Sequence, residues 1–440
     1  MAVRVGMISL GCTKNLVDSE VMLGLLGEKG YEVTPHEEDA DILIVNTCAF
    51  IDAAKQESLD TILQLTSANG KHRRKIIVAG CLAQRYGHQL ERELGDKIHA
   101  IVGVGDFHHI ADACEATLAE EGFFNRVSPP CYLYDHNTPR LRTTPSHLAY
   151  VKIAEGCDNC CSYCVIPQVR GKYRSRSIES VVAEATSLAQ SGVKEINLIA
   201  QDTTFYGRDL GSEVNLPSLL RSLVRVPGIR WIRTQYGHPA HISDEFLSLV
   251  AEEDKICSYI DIPVQHIHNE ILRSMGRRTN QSQIHALIEK IRNIIPDATL
   301  RTSLIVGFPG ETDGHFDALM NFVEWAQFDH LGVFAYSAEE GTKAADLPHQ
   351  VSQSIKQARV DQIAKLHQQI AAKKRQSLIG KHELVLVDSV GEQAIGRTQG
   401  QAPESDDIVY ITDMNVKSGE FVELEIIDTC GPYDLIGRIL

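Results

Sequence analysis

The stretch from Gly156 to Pro167 reads GCDNCCSYCVIP and places four cysteines within eight consecutive residues. Cys157, Cys161 and Cys164 form a C-x-x-x-C-x-x-C pattern directly after AYVKIAEG, an apolar run that predicts a β-strand. A loop after a strand can curl three thiolates around one inorganic cluster and leave one iron without a protein ligand. Because a substrate or cofactor can bind at such an open metal position, we predict that these three cysteines hold an iron–sulfur cluster.

Cys160 does not fit this pattern, because the side chains of residues 160 and 161 point in different directions and cannot easily face one cluster. An alternative is a four-thiolate zinc site made from the overlapping pairs Cys157/Cys160 and Cys161/Cys164. That site would crowd all its ligands into eight residues, whereas zinc sites usually separate two pairs by a longer loop. The role of Cys160 stays open.

The cysteine loop follows the first of six apolar runs that alternate with helical segments, AYVKIAEG, EINLIAQ, IRWIRTQYG, SYIDIPVQ, LRTSLIVGF and FDHLGVFAYS. This alternation predicts a partial or complete parallel (β/α) barrel over residues 145–375, with reactive groups at the C-terminal ends of the strands. Gln201 and Gln265 end predicted strands and are candidate cofactor contacts. Each glutamine could equally bond its own loop.

Residues 1–122 alternate shorter apolar runs with amphipathic helical stretches, which predicts a doubly wound parallel sheet. Cys12, Cys48 and Cys81 each lie just past the carboxyl end of a predicted strand, at MISLG, ILIVNT and IIVAG. Open α/β sheets collect their ligands at this edge, so the three thiols could converge on a second, three-coordinate cluster. The alternative is that they are ordinary buried cysteines that behave as small hydrophobic residues.

The rest of the chain predicts a linker and a third domain. Residues 123–144 contain SPP and TPR and few apolar repeats, as is typical of a linker. Residues 376–440 contain five short runs separated by turn residues, which predict a small antiparallel β-barrel. The predicted fold is therefore α/β, with a doubly wound N-terminal domain, a central (β/α) barrel and a small C-terminal β-barrel.

The composition restricts the class of protein. At 440 residues and 43% hydrophobic content, the chain is long enough for two or three globular domains. It contains no run of roughly 18 to 20 apolar residues and no signal-peptide pattern, so we expect no membrane segment and a cytoplasmic location. Eleven cysteines in a reducing compartment favour metal binding over disulfides. A net charge of -15 favours a basic partner.

The cysteine spacing, with an aromatic residue before the third cysteine, resembles the radical S-adenosylmethionine superfamily. Further segments resemble its methylthiotransferases, namely SLGCTKNLVDSE, VNTCAF, VAGCLAQR, LIAQDTTFYG, DIPVQHIHNEILRSMGRR, LIVGFPGET and YSAEEGT. The combination of LGC-x-KN, AQDTT and PVQH resembles the RimO branch, which modifies an aspartate of small-subunit ribosomal protein twelve. Thr13 departs from that pattern, since the branch usually has proline at this position.

The resemblance implies two 4Fe-4S clusters, S-adenosylmethionine and a low-potential electron donor. The cluster on Cys157, Cys161 and Cys164 would cleave S-adenosylmethionine to a 5′-deoxyadenosyl radical, and Tyr163 could place backbone groups against the adenine. The cluster on the three N-terminal cysteines would carry a sulfide that a first S-adenosylmethionine methylates. The radical would then remove a hydrogen from the β-carbon of the target aspartate, and that carbon would take the methylthio group.

The charge of the C-terminal barrel favours one substrate class over another. From Gln376 to Leu440 it has twelve acidic and four basic residues, and it resembles the TRAM domain, which serves RNA in many proteins. RNA binding depends on phosphate neutralisation, so the acidic barrel favours a basic ribosomal protein and makes tRNA an unlikely substrate. Two alternatives remain, a tRNA methylthiotransferase with contacts at KYRSRS (172–177) and KKR (373–375), and a non-catalytic cluster-binding protein.

Overall fold

A six-stranded parallel sheet forms the N-terminal part of the computed structural model, which describes residues 2–68, 74–120 and 122–440. Its strands are β1 (Arg4–Ser9), β2 (Glu32–Val33), β3 (Ile42–Thr47), β4 (Lys75–Gly80), β5 (Ala100–Gly103) and β6 (Phe124–Arg126). The helices between them are α1 (Thr13–Glu28), α2 (Asp52–Ala68), α3 (Cys81–Leu94) and α4 (Ile110–Ala119). Across the sheet the strand order is β2-β1-β3-β4-β5-β6, with every pairing parallel.

Helices cover both faces of this sheet. Val17 of α1 and Ile110 of α4 pack on one face, while Ile62 of α2 and Leu82 of α3 pack on the other. All six residues of β3 are buried, which explains its uninterrupted apolar run. The predicted doubly wound sheet is therefore confirmed.

The segment predicted as a linker at residues 123–144 begins inside the sheet, because β6 pairs with β5 as its sixth strand. The remaining residues of the segment contain no helix or strand, yet they are not a free spacer. Arg140 donates to the carboxylates of Glu20 at 2.9 Å and Glu184 at 2.7 Å. Ion pairs, and not a periodic apolar face, hold this segment in place. Its sequence therefore looks like a linker, although Arg140 joins α1 to the central barrel.

The central barrel has six parallel strands. In chain order the domain contains β7 (Leu148–Lys152), β8 (Ala154–Glu155), β9 (Arg174–Ser175), β10 (Glu195–Ile199), β11 (Trp231–Thr234), β12 (Tyr259–Asp261), β13 (Thr299–Val306) and β14 (His330–Ala335). Of these, β8 and β9 form a separate two-stranded antiparallel sheet, and the other six are the parallel strands. Its helices are α5 (Ile166–Arg170), α6 (Ile178–Gln190), α7 (Leu216–Leu223), α8 (Asp244–Glu252), α9 (Asn269–Ser274), α10 (Gln281–Ile294), α11 (Asp313–Ala326) and α12 (Gln353–Gln376). Short 3-10 helices lie at Glu37–Asp39 and Phe107–His109 in the N-terminal part and at Thr203–Phe205 in the central barrel.

The barrel is partial. The six parallel strands form two sheets, β7-β10-β11 and β12-β13-β14, which an isolated bridge between Ile232 and Ile256 connects. No pairing of described residues joins β7 to β14, so the barrel is open there. Ile363 and Ile370 of α12 pack into the barrel core. No helix in the described part of the chain has both the length and the apolar character needed to cross a bilayer.

A closed five-stranded barrel forms the C-terminal domain. Its strands are β15 (His382–Val390), β16 (Ala394–Thr398), β17 (Val409–Ile411), β18 (Phe421–Cys430) and β19 (Asp434–Ile439). Around the barrel the order is β15-β16-β17-β19-β18, and β17 pairs with β19 in parallel. The prediction of a wholly antiparallel barrel is thus wrong in one pairing, because a ring of five strands cannot alternate direction throughout.

The C-terminal barrel packs against the ends of the central barrel where its strands begin. Arg397 donates to Glu195, the first residue of β10, at 2.9 Å. The first residues of β12 and β14 make similar contacts: the Tyr259 hydroxyl donates to Asp406 at 2.7 Å, and His330 Nε2 donates to the Gly400 carbonyl at 2.7 Å. The C-terminal ends of the same strands, on the opposite side of the central barrel, are therefore accessible to the N-terminal sheet.

Candidate active site

Three cysteines meet at the C-terminal edge of the N-terminal sheet. Cys12 is the N-cap residue of α1, Cys48 directly follows β3, and Cys81 is the first residue of α3. A β-carbon on Gly11 would lie 2.9 Å from the Cys48 sulfur, so the backbone beside Cys12 touches Cys48. The N-termini of helices carry a partial positive charge, which favours thiolates at this edge.

Two polar side chains hold these cysteines in place. Asn15 Nδ2 donates to the carbonyls of Leu10 and Thr47, each at 2.9 Å, and its Oδ1 lies 3.8 Å from the Cys81 sulfur. The Ser58 hydroxyl accepts from the Cys48 N–H at 3.1 Å and donates to its carbonyl at 3.0 Å. The cysteine positions are therefore fixed by the protein itself.

The three thiols differ in their protonation. The surrounding protein raises the pKa of Cys12, but the charges of Lys14 and Arg170 reverse this effect and the pKa lies below the ordinary thiol value. Burial raises the pKa of Cys48 and raises the pKa of Cys81 to about 12, and repulsion between the thiolates adds to both shifts. A bound metal would displace these protons, because coordinating thiols are deprotonated.

The second group, Cys157, Cys161 and Cys164, lies on the loop between β8 and α5, past the end of the first barrel strand. Burial raises the pKa of Cys157 to about 11 and that of Cys164 to about 12, and repulsion from the other thiolates adds to both shifts. The structure thus brings these three sulfurs together as well. Cys160 is exposed, with its sulfur 3.8 Å from the Asp158 carbonyl.

The turn after α9 holds this loop. A β-carbon on Gly276 would lie 2.7 Å from the Cys160 carbonyl oxygen, and the residue has φ +71, so glycine suits the position. Arg277 Nη1 lies 3.8 Å from the Cys161 sulfur, and Nη2 donates to the Pro263 carbonyl at 2.6 Å. A fixed positive charge therefore stands beside the second cysteine group.

One buried guanidinium joins the two cysteine groups. Arg170, the last residue of α5, donates to Glu155 at 2.9 Å and to Asp18 at 3.1 Å, and its Nη2 lies 3.6 Å from the Cys81 sulfur. The Lys152 ammonium bonds the same two carboxylates. Burial raises the pKa of Glu155, but Arg170 and Lys152 hold it well below its usual range. The N-terminal sheet and the central barrel thus share one ion network.

The structure places the three other predicted cofactor contacts on the second cysteine loop or after the ends of barrel strands. Gln201 Nε2 donates to Glu155 at 2.7 Å, while its Oε1 is buried without a hydrogen-bond partner among the described residues. Gln265 has φ +70, and its backbone pairs with β13. The Tyr163 side chain is partly buried beside Cys161. Burial and the nearby Cys161 charge both raise the pKa of Tyr163.

Sequence reasoning missed the charged residues between the cysteine groups. Arg170 and Asp18 are 152 positions apart, and neither stands in a pattern that indicates an ion pair. Asn15 and Arg277 do lie in recognisable motifs, LGC-x-KN and SMGRR. The spacing of these motifs alone assigns neither residue a role.

Much of the acidic excess of the C-terminal barrel is internal. Arg375 donates to Asp407 at 2.7 Å, and Arg397 donates to Asp388 at 2.7 Å. The acidic residues that are exposed are Glu392, Glu404, Asp413, Glu420, Glu423 and Asp428. The exposed negative surface is thus smaller than the composition suggests.

The two short basic segments are also partly internal. Within KYRSRS, Arg176 is 2% exposed and bonds the Glu184 carboxylate. Within KKR, Arg375 bonds Asp407, and Lys374 donates to an aspartate at 2.6 Å. These three cations neutralise carboxylates of the protein, whereas Lys172 and Lys373 of the same segments are exposed.

Three families match successive parts of the chain. Residues 4–103 match the family described as "Uncharacterized protein family UPF0004", residues 151–323 match the "Radical SAM superfamily", and residues 379–440 match the "TRAM domain". The resemblance to radical S-adenosylmethionine enzymes is therefore confirmed.

Curated relatives match over the whole chain. The proteins named "Ribosomal protein uS12 methylthiotransferase RimO" from Geobacter sulfurreducens and Geotalea uraniireducens are 49% and 48% identical, with 99% of this chain and 98% of each relative covered. The protein of the same name from Clostridioides difficile is 45% identical over 99% of both chains.

Solved structures share the fold. The radical S-adenosylmethionine methyltransferase TsrM from Kitasatospora setae matches with a TM-score of 0.54 at 17% identity, over 76% of this chain and 75% of that chain. The cobalamin-dependent radical enzyme OxsB matches with a TM-score of 0.52 at 12% identity, over 84% of this chain and 56% of that chain. At these identities the likeness concerns the fold alone.

Proposed function

The chain belongs to the RimO family of ribosomal protein uS12 methylthiotransferases, and on this premise we propose that it attaches a methylthio group to the β-carbon of an aspartate in uS12. It is a radical S-adenosylmethionine enzyme. The observation that carries the proposal is the pair of three-cysteine groups on two domains, with Arg170 between them. A ribosomal substrate implies a cytoplasmic reaction.

Each cysteine group fits a cluster with one open iron. Cys12, Cys48 and Cys81 would hold one 4Fe-4S cluster, and the cysteines at 157, 161 and 164 would hold the other, since three thiolates leave a fourth iron without a protein ligand. When bound, the clusters and S-adenosylmethionine supply the electron, the 5′-deoxyadenosyl radical, the sulfur and the methyl group. A low-potential protein or small molecule would deliver the electron.

The chain's own residues would position these groups. Arg277 places a positive charge beside Cys161, which offsets the negative charge of a thiolate-bound cluster. The unpartnered Oε1 of Gln201 is available to accept a hydrogen bond from a bound cofactor, Tyr163 lies on the cysteine loop, and Gln265 follows the end of β12 and pairs with β13. The ion network of Arg170 would keep the two clusters at a fixed separation.

The charges of the described residues favour a protein substrate over tRNA. Arg176, Lys374 and Arg375 are bound to internal carboxylates, while six carboxylates of the C-terminal barrel are exposed. Phosphate binding needs free cations, whereas exposed carboxylates attract a basic ribosomal protein.

Mass spectrometry tests this function directly. Anaerobically reconstituted protein with reductant and S-adenosylmethionine is offered purified uS12 in one reaction and unmodified tRNA in another. We expect a gain of about 46 Da on an aspartate of uS12, because SCH3 replaces H. A gain only on tRNA would contradict the proposed substrate. No gain and no 5′-deoxyadenosine would favour a protein that binds clusters without catalysis.

Gly11→Ala should lower the occupancy of the N-terminal cluster. The new β-carbon would lie 2.6 Å from the Cys48 β-carbon and 2.9 Å from its sulfur, at φ +88. Cys48 would have to move, and a displaced ligand weakens metal binding by roughly 10- to 100-fold. Iron analysis after dialysis against a chelator measures the loss.

Gly30→Ala is the matched control for that change. Gly30 has a similar φ of +86, but a β-carbon there would meet no atom within 4 Å. It reproduces the backbone strain without the collision and should retain the iron of the wild type. Equal iron loss in both variants would show that strain, and not displacement of Cys48, is responsible.

A further inference from the structure

Lys14 lies where the N-terminal sheet meets the mouth of the central barrel. It is the second residue of α1, two positions after Cys12, and its side chain is only 7% exposed. Its ammonium lies 3.1 Å from the centre of the Tyr236 ring. Tyr236 follows the end of β11, and its N–H donates to Asp261 at the end of β12 at 2.8 Å. Lys14 therefore reaches from the first cysteine group to the strand ends of the second domain.

The Lys14 ammonium makes no direct contact with an anion. Among the described residues it forms no ion pair and donates no hydrogen bond; its ammonium lies over the Tyr236 ring, and its charge acts at longer range on the Cys12 thiol and the Asp261 carboxylate. The nearby buried cation Lys152, in contrast, bonds both Asp18 and Glu155. The Lys14 ammonium has no direct hydrogen-bond partner, so it can donate its hydrogen bonds to an anionic group that enters this region.

The aromatic contact positions the charge without neutralising it. A cation over an aromatic ring is attracted by the ring face while it keeps its capacity to donate hydrogen bonds. Asp261 Oδ1 in the same region accepts no hydrogen bond from the described residues, but Arg301 Nε lies 3.9 Å from it and balances its charge. The region between the cysteine groups thus offers the Lys14 ammonium as a cation with unused hydrogen bonds.

We propose that Lys14 binds the side-chain carboxylate of the target aspartate and thereby selects aspartate over uncharged residues. The inference rests on the proposed function. In aspartate the carboxylate carbon is bonded to the β-carbon, so an ammonium that holds the carboxylate also places the reacting carbon between the two cysteine groups. Lys14 is a specificity-determining residue in this role, and the hydrogen abstraction itself needs no base.

The alternative is that Lys14 only balances the negative charge of the N-terminal cysteine group. A peptide comparison separates these roles. Reconstituted wild type and Lys14→Met are each tested for binding of a uS12 peptide with aspartate at the target position and of the same peptide with asparagine. Methionine is unbranched, uncharged and only one atom shorter than lysine, and its thioether can still pack against the Tyr236 ring.

We expect the wild type to bind the aspartate peptide about 10- to 100-fold more tightly than the asparagine peptide, and Lys14→Met to bind both equally. Lys172→Met is the control, because Lys172 is an exposed lysine between α5 and β9, and its preference should equal that of the wild type. Lys14→Arg should retain the preference, since it keeps the charge.

Two results would overturn the inference. One is an unchanged aspartate preference in Lys14→Met, and the other is loss of iron from its N-terminal cysteine group, which would indicate a charge-balancing role. Failure of the proposed function looks different. In that case the wild type would prefer the aspartate peptide, and lose the preference in Lys14→Met, yet give no gain in mass.

Discussion

Cys157→Ala should abolish both cleavage of S-adenosylmethionine and modification of uS12, whereas Cys48→Ala should abolish modification and leave cleavage intact. The two residues belong to separate cysteine groups on separate domains. Even changes beside metal ligands lower activity by 10- to 100-fold, so loss of a ligand should lower the affected step by more than about 100-fold. Release of 5′-deoxyadenosine and the mass of uS12 measure the two steps in one reaction.

The iron content of the same variants independently measures how many clusters each of them holds. The wild type should bind about eight irons, and each variant should retain about four, because each loses one 4Fe-4S cluster. Cys160→Ala is the matched control, since it removes an exposed thiol from the same loop as Cys157. It should keep the iron and both activities.

Two outcomes would contradict this division of roles. If Cys48→Ala also stopped cleavage of S-adenosylmethionine, the cysteine groups would not act as independent centres. If Cys160→Ala lost iron, Cys160 would belong to the ligands of the loop cluster, and the ligand set would differ from the proposed one.

The sequence predicts where the cysteines lie in the fold because apolar strands and their ends are easy to recognise. Cys12, Cys48 and Cys81 each follow an apolar run, and parallel strands in one sheet end at one edge, so their approach follows from the topology. The loop from Cys157 to Cys164 is local, and its spacing alone brings the sulfurs near each other.

What lies between the cysteine groups could not be predicted in the same way. Buried ion pairs such as Arg170 with Asp18 join residues from distant parts of the chain and leave no periodic pattern. The same reason explains why residues 123–144 have the composition of a linker although Arg140 bonds buried carboxylates there. Composition also overstates the exposed acidic surface of the C-terminal barrel, because it does not distinguish Asp407, which bonds Arg375, from an exposed carboxylate.

Arg170→Met should destabilise the protein strongly. The guanidinium is 1% exposed and bonds Asp18 and Glu155, which are themselves buried. Its removal leaves two buried carboxylates with Lys152 as their remaining cation, and an uncompensated buried charge lowers the free energy of unfolding by about 3–5 kcal/mol. Urea denaturation of the cluster-free protein measures this change without interference from iron loss.

Arg438→Met is the matched control for Arg170→Met. Arg438 bonds Glu425 at 2.7 Å, but its side chain is 64% exposed, and exposed ion pairs contribute no more than about 1 kcal/mol. The free energy of unfolding of Arg170→Lys should lie between those of Arg170→Met and Arg438→Met. One ammonium cannot reproduce the two-pronged contact with which the guanidinium reaches Asp18 and Glu155 together. If Arg170→Met were no less stable than Arg438→Met, Lys152 would suffice for both carboxylates, and Arg170 would not fix the separation of the two cysteine groups.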